Sequence, residues 1–263
     1  MKNSKFNISE KRKILYRKKR IREFTFRIIC FILLLLIAYI PLKSISNKKA
    51  EKSTINKKVT TNIKEKTTII CIDPGHGDWD AGAKGYKGSL EKDIVLSIAL
   101  KLGKLLEENE NVQVVYTRTN DSMDYLKTSN DSLKERIKIS EIFKADIFIS
   151  IHCNSNYDSI DSRGIETWYN PNKEESKELA TLIQDSLSSL EYTEDRGLKT
   201  YEKKEDALAV LELNTANSAL IELGFLSNLF DERYLASEKG QKNIAEALNT
   251  SLLEYINKIT STH

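Results

Sequence analysis

The stretch Asp146-Ile-Phe-Ile-Ser-Ile151, followed directly by His152-Cys-Asn154, decides the fold. A continuous apolar run of this length is typical of a strand buried on both faces, as in a parallel sheet. A second β-branched apolar run, residues 68–72, leads into Asp73-Pro-Gly-His-Gly77 and predicts another such strand. Both predicted strands are therefore followed by a polar segment that carries a histidine.

The remainder of the chain beyond Thr67 alternates between strand and helix patterns. Further strands are predicted at residues 112–116, 165–169 and 219–223, and helices at residues 90–106, 133–143, 174–190 and 240–256. This alternation predicts an α/β domain with a mostly parallel, twisted sheet of about six strands and helices on both faces. In sheets of this kind, binding sites form at the carboxyl ends of the strands.

The segment before this domain differs from it in composition. Residues 1–27 carry eleven Lys or Arg and two acids, whereas residues 28–42 carry no charge. Fifteen residues are short for a hydrocarbon core of ~30 Å, but Phe24 to Arg27 can extend the run because Arg27 can snorkel toward the headgroups. We expect residues 1–27 to be a basic cytoplasmic segment and residues 28–42 a single transmembrane anchor, which places the C-terminal domain outside the cell membrane.

A cleaved secretory signal is the alternative for residues 28–42, because signal peptides have apolar regions of this length. The long basic flank and the lack of a good small-x-small cleavage site favour the retained anchor; Ala38-Tyr-Ile40 is the nearest approach to such a site. Residues 43–66, rich in Lys, Asn, Ser and Thr, predict a flexible linker. Residues 67–263 are then one folded domain.

Charge and cysteine content exclude several classes of function. Residues 67–263 carry 34 acids against 22 Lys or Arg, so the basic balance of the whole chain belongs to its N-terminus. An acidic domain is unsuited to nucleic acid, whose phosphates require positive charge. The three cysteines, at positions 30, 71 and 153, are too widely spaced for a disulfide framework or a Cys-rich zinc site. Cys71 and Cys153 are predicted to be small buried residues, with a disulfide between them as the alternative.

Two of the three histidines, His76 and His152, follow strands of one predicted sheet; the third, His263, is terminal. Neutral imidazole is a common zinc ligand, and a catalytic zinc takes three protein ligands and leaves a fourth position open. Glu91, at the start of a predicted helix behind a glycine-rich loop, is the third ligand in this interpretation. The alternative for Glu91 is an ordinary first-turn acid favoured by the helix dipole, with Ser89 near the cap.

Glu222 lies in an apolar strand between Ile221 and Leu223, where a carboxylate is costly unless it is paired or functional. We predict that it is a general base whose neutral form donates a proton to the leaving amine. A salt-bridged structural glutamate is the alternative. The glycine-rich loop lacks the Gly-Lys-Ser/Thr ending of a phosphate-binding loop, which argues against a nucleotide site.

Six ordered motifs together resemble the zinc-dependent N-acetylmuramoyl-L-alanine amidases of the amidase-3 type: Asp73-Pro-Gly-His-Gly77, Glu91, Tyr116-Thr-Arg-Thr119, Ser150-Ile-His-Cys-Asn-Ser155, Gly164-Ile-Glu-Thr-Trp-Tyr169 and Glu222-Leu-Gly-Phe-Leu-Ser-Asn228. The resemblance covers roughly residues 67–256. It implies a Zn²⁺ site of His76, Glu91 and His152 and a catalytic role for Glu222. It also implies a peptidoglycan substrate, cleaved at the amide between N-acetylmuramic acid and L-alanine of the stem peptide.

The chain departs from the family pattern at two positions. Glu212 stands where members often have an Arg, and Asn217 where they often have a Pro. If that Arg binds carboxylates of the stem peptide, Glu212 changes the substrate preference. The short segment between His152 and Gly164 predicts that the inhibitory helix of related division amidases is absent.

An anchor joined to one catalytic domain resembles the spore-cortex amidases that help to make muramic lactam, so a sporulation role is one expectation alongside vegetative wall remodelling. The sequence identifies no protein activator. Two rival functions stay open: another zinc hydrolase of wall peptides, and a wall-binding module without catalysis. The presence of all four chemical residues argues against the second rival.

Overall fold

The computed structural model describes residues 67–122 and 128–261, in which six strands form one sheet. The strands are β1 (Thr68–Pro74), β2 (Val112–Tyr116), β3 (Ile147–Asn154), β4 (Ile165–Tyr169), β5 (Asp195–Lys199) and β6 (Asn217–Phe225). The helices are α1 (Glu91–Leu106), α2 (Ser129–Ile142), α3 (Glu174–Ser188), α4 (Ala209–Glu212), α5 (Leu229–Leu235) and α6 (Glu238–Ser261), with a short 3-10 helix at Lys204–Asp206.

The strand order is β2-β1-β3-β6-β4-β5, and four of the five neighbouring pairs are parallel. Only β4 and β6 pair antiparallel, so the sheet is mixed. The reason lies in the loop of residues 155–164, which joins β3 to β4 and contains no helix. Parallel strands need a long crossover connection, and β4 therefore returns in the opposite direction. The expectation of a mostly parallel sheet of about six strands is confirmed, with this one reversal.

Helices cover both faces of the sheet, as expected. On one face, α1, α3 and α6 pack over a large apolar core that includes Ile149, Ile221 and Leu248. On the other face, a smaller core around Phe148 and Leu220 lies under α2 and α4. The alternation of side chains along each strand explains why neighbouring residues of β3 and β6 belong to different cores.

Cys71 and Cys153 lie in these two different cores, on opposite faces of the sheet. Both are buried free thiols, and burial raises the pKa of each above its usual value. The alternative of a disulfide between them is wrong, because the sheet itself separates the two side chains.

Several element bounds differ from those expected. Strand β3 continues through His152, and the polar strand β5 and the short helix α5 were not foreseen. Helix α1 begins at Glu91, and its N-cap is Leu90, which makes no side-chain cap hydrogen bond. Ser89 therefore does not cap this helix. Helix α6 is longer than the predicted 240–256 at both ends.

The predicted cytoplasmic segment (1–27), anchor (28–42) and linker (43–66) lie outside the described residues. Within residues 67–122 and 128–261, no helix combines the length and the apolar character that crossing a bilayer requires.

Candidate active site

Three side chains from separate elements converge at the carboxyl edge of the sheet. His76 follows β1, Glu91 opens α1, and His152 lies near the end of β3. Glu91 Oε1 lies 3.0 Å from His76 Nε2 and 3.1 Å from His152 Nδ1, and the two nitrogens are 3.2 Å apart. These donor atoms all lie within 4.8 Å of one another, so one metal ion can bind all three residues.

Glu91 is held in place by backbone donors on two sides. Its Oε1 accepts the N–H of Cys153 at 2.9 Å, and its Oε2 accepts the N–H of Ala83 at 2.7 Å. Burial alone would raise the pKa of this carboxyl, but the hydrogen bonds and charges of His152 and His76 hold the pKa well below its usual range. The side chain is therefore an anion at neutral pH, as a metal ligand must be. The alternative of an exposed first-turn acid does not fit a residue that is 2 % exposed.

His76 is oriented from behind by Asp80. Its Nδ1 lies 2.9 Å from Asp80 Oδ2, which leaves Nε2 pointing at Glu91. The residue has a positive φ of 58°, an unusual conformation for a side chain other than glycine. A carboxylate partner of this kind fixes the tautomer and the ring orientation of a histidine that ligates a metal.

Two buried arginines fix the backbone on which His76 stands. Arg136 donates to the carbonyls of Pro74 (2.8 Å) and His76 (2.6 Å), and Arg118 donates to those of Pro74 (3.0 Å) and Gly75 (2.7 Å). Arg136 also pairs with the fully buried Asp73. These contacts stabilise the loop conformation that presents the imidazole.

Asp73 balances this positive charge from within β1. Its carboxylate accepts hydrogen bonds from Thr117 (2.6 Å) and Ser150 (2.7 Å) in addition to Arg136. Burial alone would raise the pKa of Asp73, but the Arg136 charge and these hydrogen bonds lower it below the ordinary value of 3.8. The aspartate therefore keeps its negative charge at neutral pH.

Glu222 lies beside His152 because β3 and β6 pair in register at these two residues. Its Oε2 is buried and accepts no hydrogen bond from any described residue. Burial, with the neighbouring charges of Glu91 and Glu166, raises the pKa of Glu222 well above its usual value. The alternative of a salt-bridged structural glutamate is wrong for the described residues, because none of them forms an ion pair with it.

The site opens into a cleft of about 790 Å³. His76, Glu91, His152 and Glu222 line one part of the cleft, and α2, Trp168 and residues 207–210 line the rest. A cleft of this volume accommodates a ligand of several rings or residues.

Two glycines leave room for the metal-ligand side chains. A Cβ on Gly75 would lie 2.2 Å from the His152 ring, and one on Gly82 would lie 2.5 Å from Glu91 Oε2. Two imidazole nitrogens and one carboxylate oxygen are a donor set that zinc binds in hydrolases, with one position left for water. The residues present therefore fit a Zn²⁺ ion.

The two departures from the family pattern lie away from this cluster. Glu212 ends α4 and accepts hydrogen bonds from Tyr201 (2.8 Å) and Asn170 (3.1 Å), and it does not line the cleft. Asn217 begins β6, at the opposite end of the strand from Phe225, and donates to Tyr255 at 2.9 Å. Neither residue contacts the metal ligands.

Other functional side chains were not singled out from the sequence. Arg118 and Glu166 stood inside quoted motifs, but nothing in the sequence assigned them a contact. Arg136 and Asp80 carried no signal at all, because charged residues on a polar helix or in a loop usually only face solvent. Their positions around His76 and Glu222 became evident only from the folded chain.

Comparison with known proteins relates this site to one family. A family model described as N-acetylmuramoyl-L-alanine amidase matches residues 70–254. The N-acetylmuramoyl-L-alanine amidase LytC of Bacillus subtilis is 34% identical over 205 residues, which cover 76% of this chain but 38% of LytC. The germination-specific N-acetylmuramoyl-L-alanine amidase of the same species is 32% identical over 195 residues, covering 71% of this chain and 79% of that protein.

Solved structures agree with this relationship. The CwlD amidase of Clostridioides difficile, determined in complex with the GerS lipoprotein, superposes with a TM-score of 0.64 at 34% identity, covering 72% of this chain and 98% of that one. Since the family model matches residues 70–254, which are more than half of the chain and include every candidate site residue, the chain belongs to the amidase-3 family of N-acetylmuramoyl-L-alanine amidases.

Proposed function

We propose that the protein is a zinc-dependent peptidoglycan hydrolase that cleaves the amide between N-acetylmuramic acid and L-alanine of the stem peptide. The observation that carries the proposal is the convergence of His76, Glu91 and His152 on one point, next to the unpartnered carboxylate of Glu222. The names of the family and of the relatives support the choice of substrate.

The residues of the chain divide the reaction between them. His76, Glu91 and His152 would hold a zinc ion, which when bound would polarise the scissile carbonyl and lower the pKa of water. Glu222 takes a proton from the attacking water as its oxygen adds to the carbonyl carbon. It then delivers that proton to the L-alanine nitrogen as the C–N bond breaks. Burial and the charges of Glu91 and Glu166 raise the pKa of Glu222, which favours the protonated form that delivers the proton to the leaving nitrogen.

The test is digestion of intact glycan strands that carry stem peptides, with the purified full-length chain and added zinc. Mass spectrometry should find glycan with a free lactyl carboxylate and peptides that begin with L-alanine. Cleavage within free stem peptides instead would indicate a wall peptidase. Absence of any product from a zinc-loaded protein would indicate a binding module.

The zinc content of variants tests the assignment of the metal ligands. We expect one zinc ion per chain, lost in His76→Ala and His152→Ala while the fold is largely kept, because the sheet and its two cores rather than the metal hold the domain together. A double variant that still binds a full equivalent of zinc would exclude these residues as ligands.

For the N-terminus we propose a cytoplasmic segment at 1–27, a membrane anchor at 28–42 and a linker at 43–66, with residues 67–263 outside the membrane as the catalytic domain. The support is the composition of these segments. Protease added to intact protoplasts should release the domain from the membrane fraction. Recovery of a soluble mature form that begins near Ser44 would indicate a cleaved signal instead.

For the physiological role we propose action on the spore cortex. The support is the similarity to a germination-specific N-acetylmuramoyl-L-alanine amidase. Spores from a strain that lacks the gene should contain little muramic lactam. Normal muramic lactam with altered vegetative wall turnover would assign the enzyme to growing cells.

A further inference from the structure

The reversal of β4 brings the start of β5 to the catalytic edge of the sheet. Because β4 runs antiparallel to β6 and β5 runs parallel to β4, both begin at the edge where β1, β3 and β6 end. Arg196 is the second residue of β5 and therefore lies at this edge. Leu198 of the same strand packs against the large core, whereas Arg196 faces the edge where the candidate site lies.

Arg196 is tied to the cleft through Glu166. Its Nε donates to Glu166 Oε2 at 2.8 Å. Glu166 is 5 % exposed, lines the cleft, and pairs in register with Glu222 across β4 and β6. The other oxygen of Glu166 accepts from Trp168 Nε1 at 3.2 Å and Asn154 Nδ2 at 3.4 Å. One buried carboxylate thus connects Arg196 to the wall that faces the reaction.

The stem of Arg196 is fixed as well as its Nε. A Cβ on Gly164 would lie 2.6 Å from Arg196 Cγ, and Gly164 has a φ of +118° that favours glycine. The guanidinium carbon lies 5.0 Å from the centre of the Phe225 ring, within the range of a cation–π contact. Backbone, ring and carboxylate together orient the planar group.

The terminal amino groups of Arg196 are left open. Among residues 67–122 and 128–261, no acceptor takes a hydrogen bond from either Nη nitrogen, and the side chain is 38 % exposed. With Nε engaged by Glu166, the Nη1–Nη2 edge is available for a bidentate contact with a carboxylate. This donor pair stands out in a domain whose acids outnumber its bases by 34 to 22.

We propose that Arg196 is a specificity-determining residue that binds a carboxylate of the stem peptide. The inference rests on the proposed function, since it names the part of that substrate which the edge of the cleft recognises. Glu166 positions the guanidinium.

The experiment compares two muramoyl-peptides that differ only in the carboxylates beyond L-alanine, which are free in one and amidated in the other. The full-length protein is assayed with zinc in detergent, and kcat/KM is measured for each. The wild type should prefer the free carboxylates. Arg196→Gln should reduce this preference by about 10- to 100-fold, as loss of a hydrogen bond to a charged group implies. The preference of Arg196→Lys should lie between those of the wild type and Arg196→Gln, because lysine keeps the positive charge but lacks the planar guanidinium that binds a carboxylate with two hydrogen bonds.

The preference ratio separates recognition from a structural role. If Arg196 only supported Glu166, its replacement would lower kcat/KM on both substrates alike. If Arg196 binds a substrate carboxylate, its replacement changes the ratio of the two kcat/KM values. Lys199→Gln is the matched control: it removes one positive charge at the other end of β5 and should leave the ratio unchanged. Melting temperature and zinc content are measured on every variant.

Three results would count against the inference. Equal rates of the wild type on the two substrates would overturn it while leaving the proposed function intact. An unchanged ratio in Arg196→Gln would also overturn it. No hydrolysis of either substrate by the zinc-loaded wild type would refute the proposed function itself.

Discussion

Gly75→Ala tests whether the close approach of backbone and imidazole shapes the metal site. The added Cβ would lie 2.2 Å from His152 Cε1, whereas ordinary contact begins at 3.4 Å. The ring, the loop or both must therefore move by about 1.2 Å in total. Metal–ligand distances tolerate only about ±0.2 Å. Gly75 has no positive φ, so alanine adds a steric conflict at this position without strain in the local backbone.

We expect Gly75→Ala to weaken zinc binding by more than about 100-fold, since altering a residue that merely supports a ligand already costs about 10- to 100-fold. The assay is competition with a chromophoric chelator. Circular dichroism should show native secondary structure, because the sheet and both cores do not involve the new methyl group.

Gly88→Ala is the matched control in the same loop. Its φ of +93° makes alanine unfavourable, yet nothing lies within 4 Å of the added Cβ. This variant should lose about 1–3 kcal/mol of stability through backbone strain and keep its zinc affinity. Wild-type zinc affinity in Gly75→Ala, or equal losses in the two variants, would refute the steric reasoning.

Three further changes test the other parts of the site. Glu222→Gln should keep zinc and melting temperature while turnover falls by about 10²–10⁴; a lower melting temperature with normal turnover would make Glu222 structural. Asp80→Asn should weaken zinc binding about 10- to 100-fold by releasing the His76 ring, and unchanged binding would contradict the orienting role. Asp73→Asn should cost about 3–5 kcal/mol at pH 7 by leaving Arg136 buried and unpaired. Because folding lowers the pKa of Asp73, its contribution is complete above the ordinary value of 3.8 and is lost as the pH falls through the folded value. In chelator-treated protein, the difference in unfolding free energy between the wild type and Asp73→Asn should therefore shrink as the pH falls below 3.8 and through the folded pKa. A difference that does not depend on pH would contradict the pairing of Asp73 with Arg136.

The sequence was most informative where a pattern had a single physical explanation. The apolar runs of β1 and β3 predicted buried strands, because only a covered sheet accepts such runs. Because His76 and His152 follow those strands, they were predicted to lie at the same edge of the sheet. The strand β5, Asp195-Arg-Gly-Leu-Lys199, was missed because an edge strand with one large apolar residue lacks the alternation that signals a sheet.

The contacts that position the site were harder to foresee. Arg136 lies on α2, a mostly polar helix, where an arginine cannot be distinguished from a solvated one. Its partner Asp73 is 63 residues away along the chain, and only the folded sheet brings them together. The reversal of β4 was also missed, although the short connection between His152 and Gly164 leaves no room for the crossover that a parallel strand needs.

Strand β6 is the last strand of the chain, yet it lies between β3 and β4 in the sheet. During synthesis the N-terminal part emerges first, so a nascent chain that has reached Thr200 already contains His76, Glu91 and His152 but has no strand to carry Glu222. The catalytic set is completed only when the final strand enters the gap. If Glu222 acts as proposed, chains shortened by premature termination or by proteolysis before β6 should hold the three candidate metal ligands but show no amidase activity.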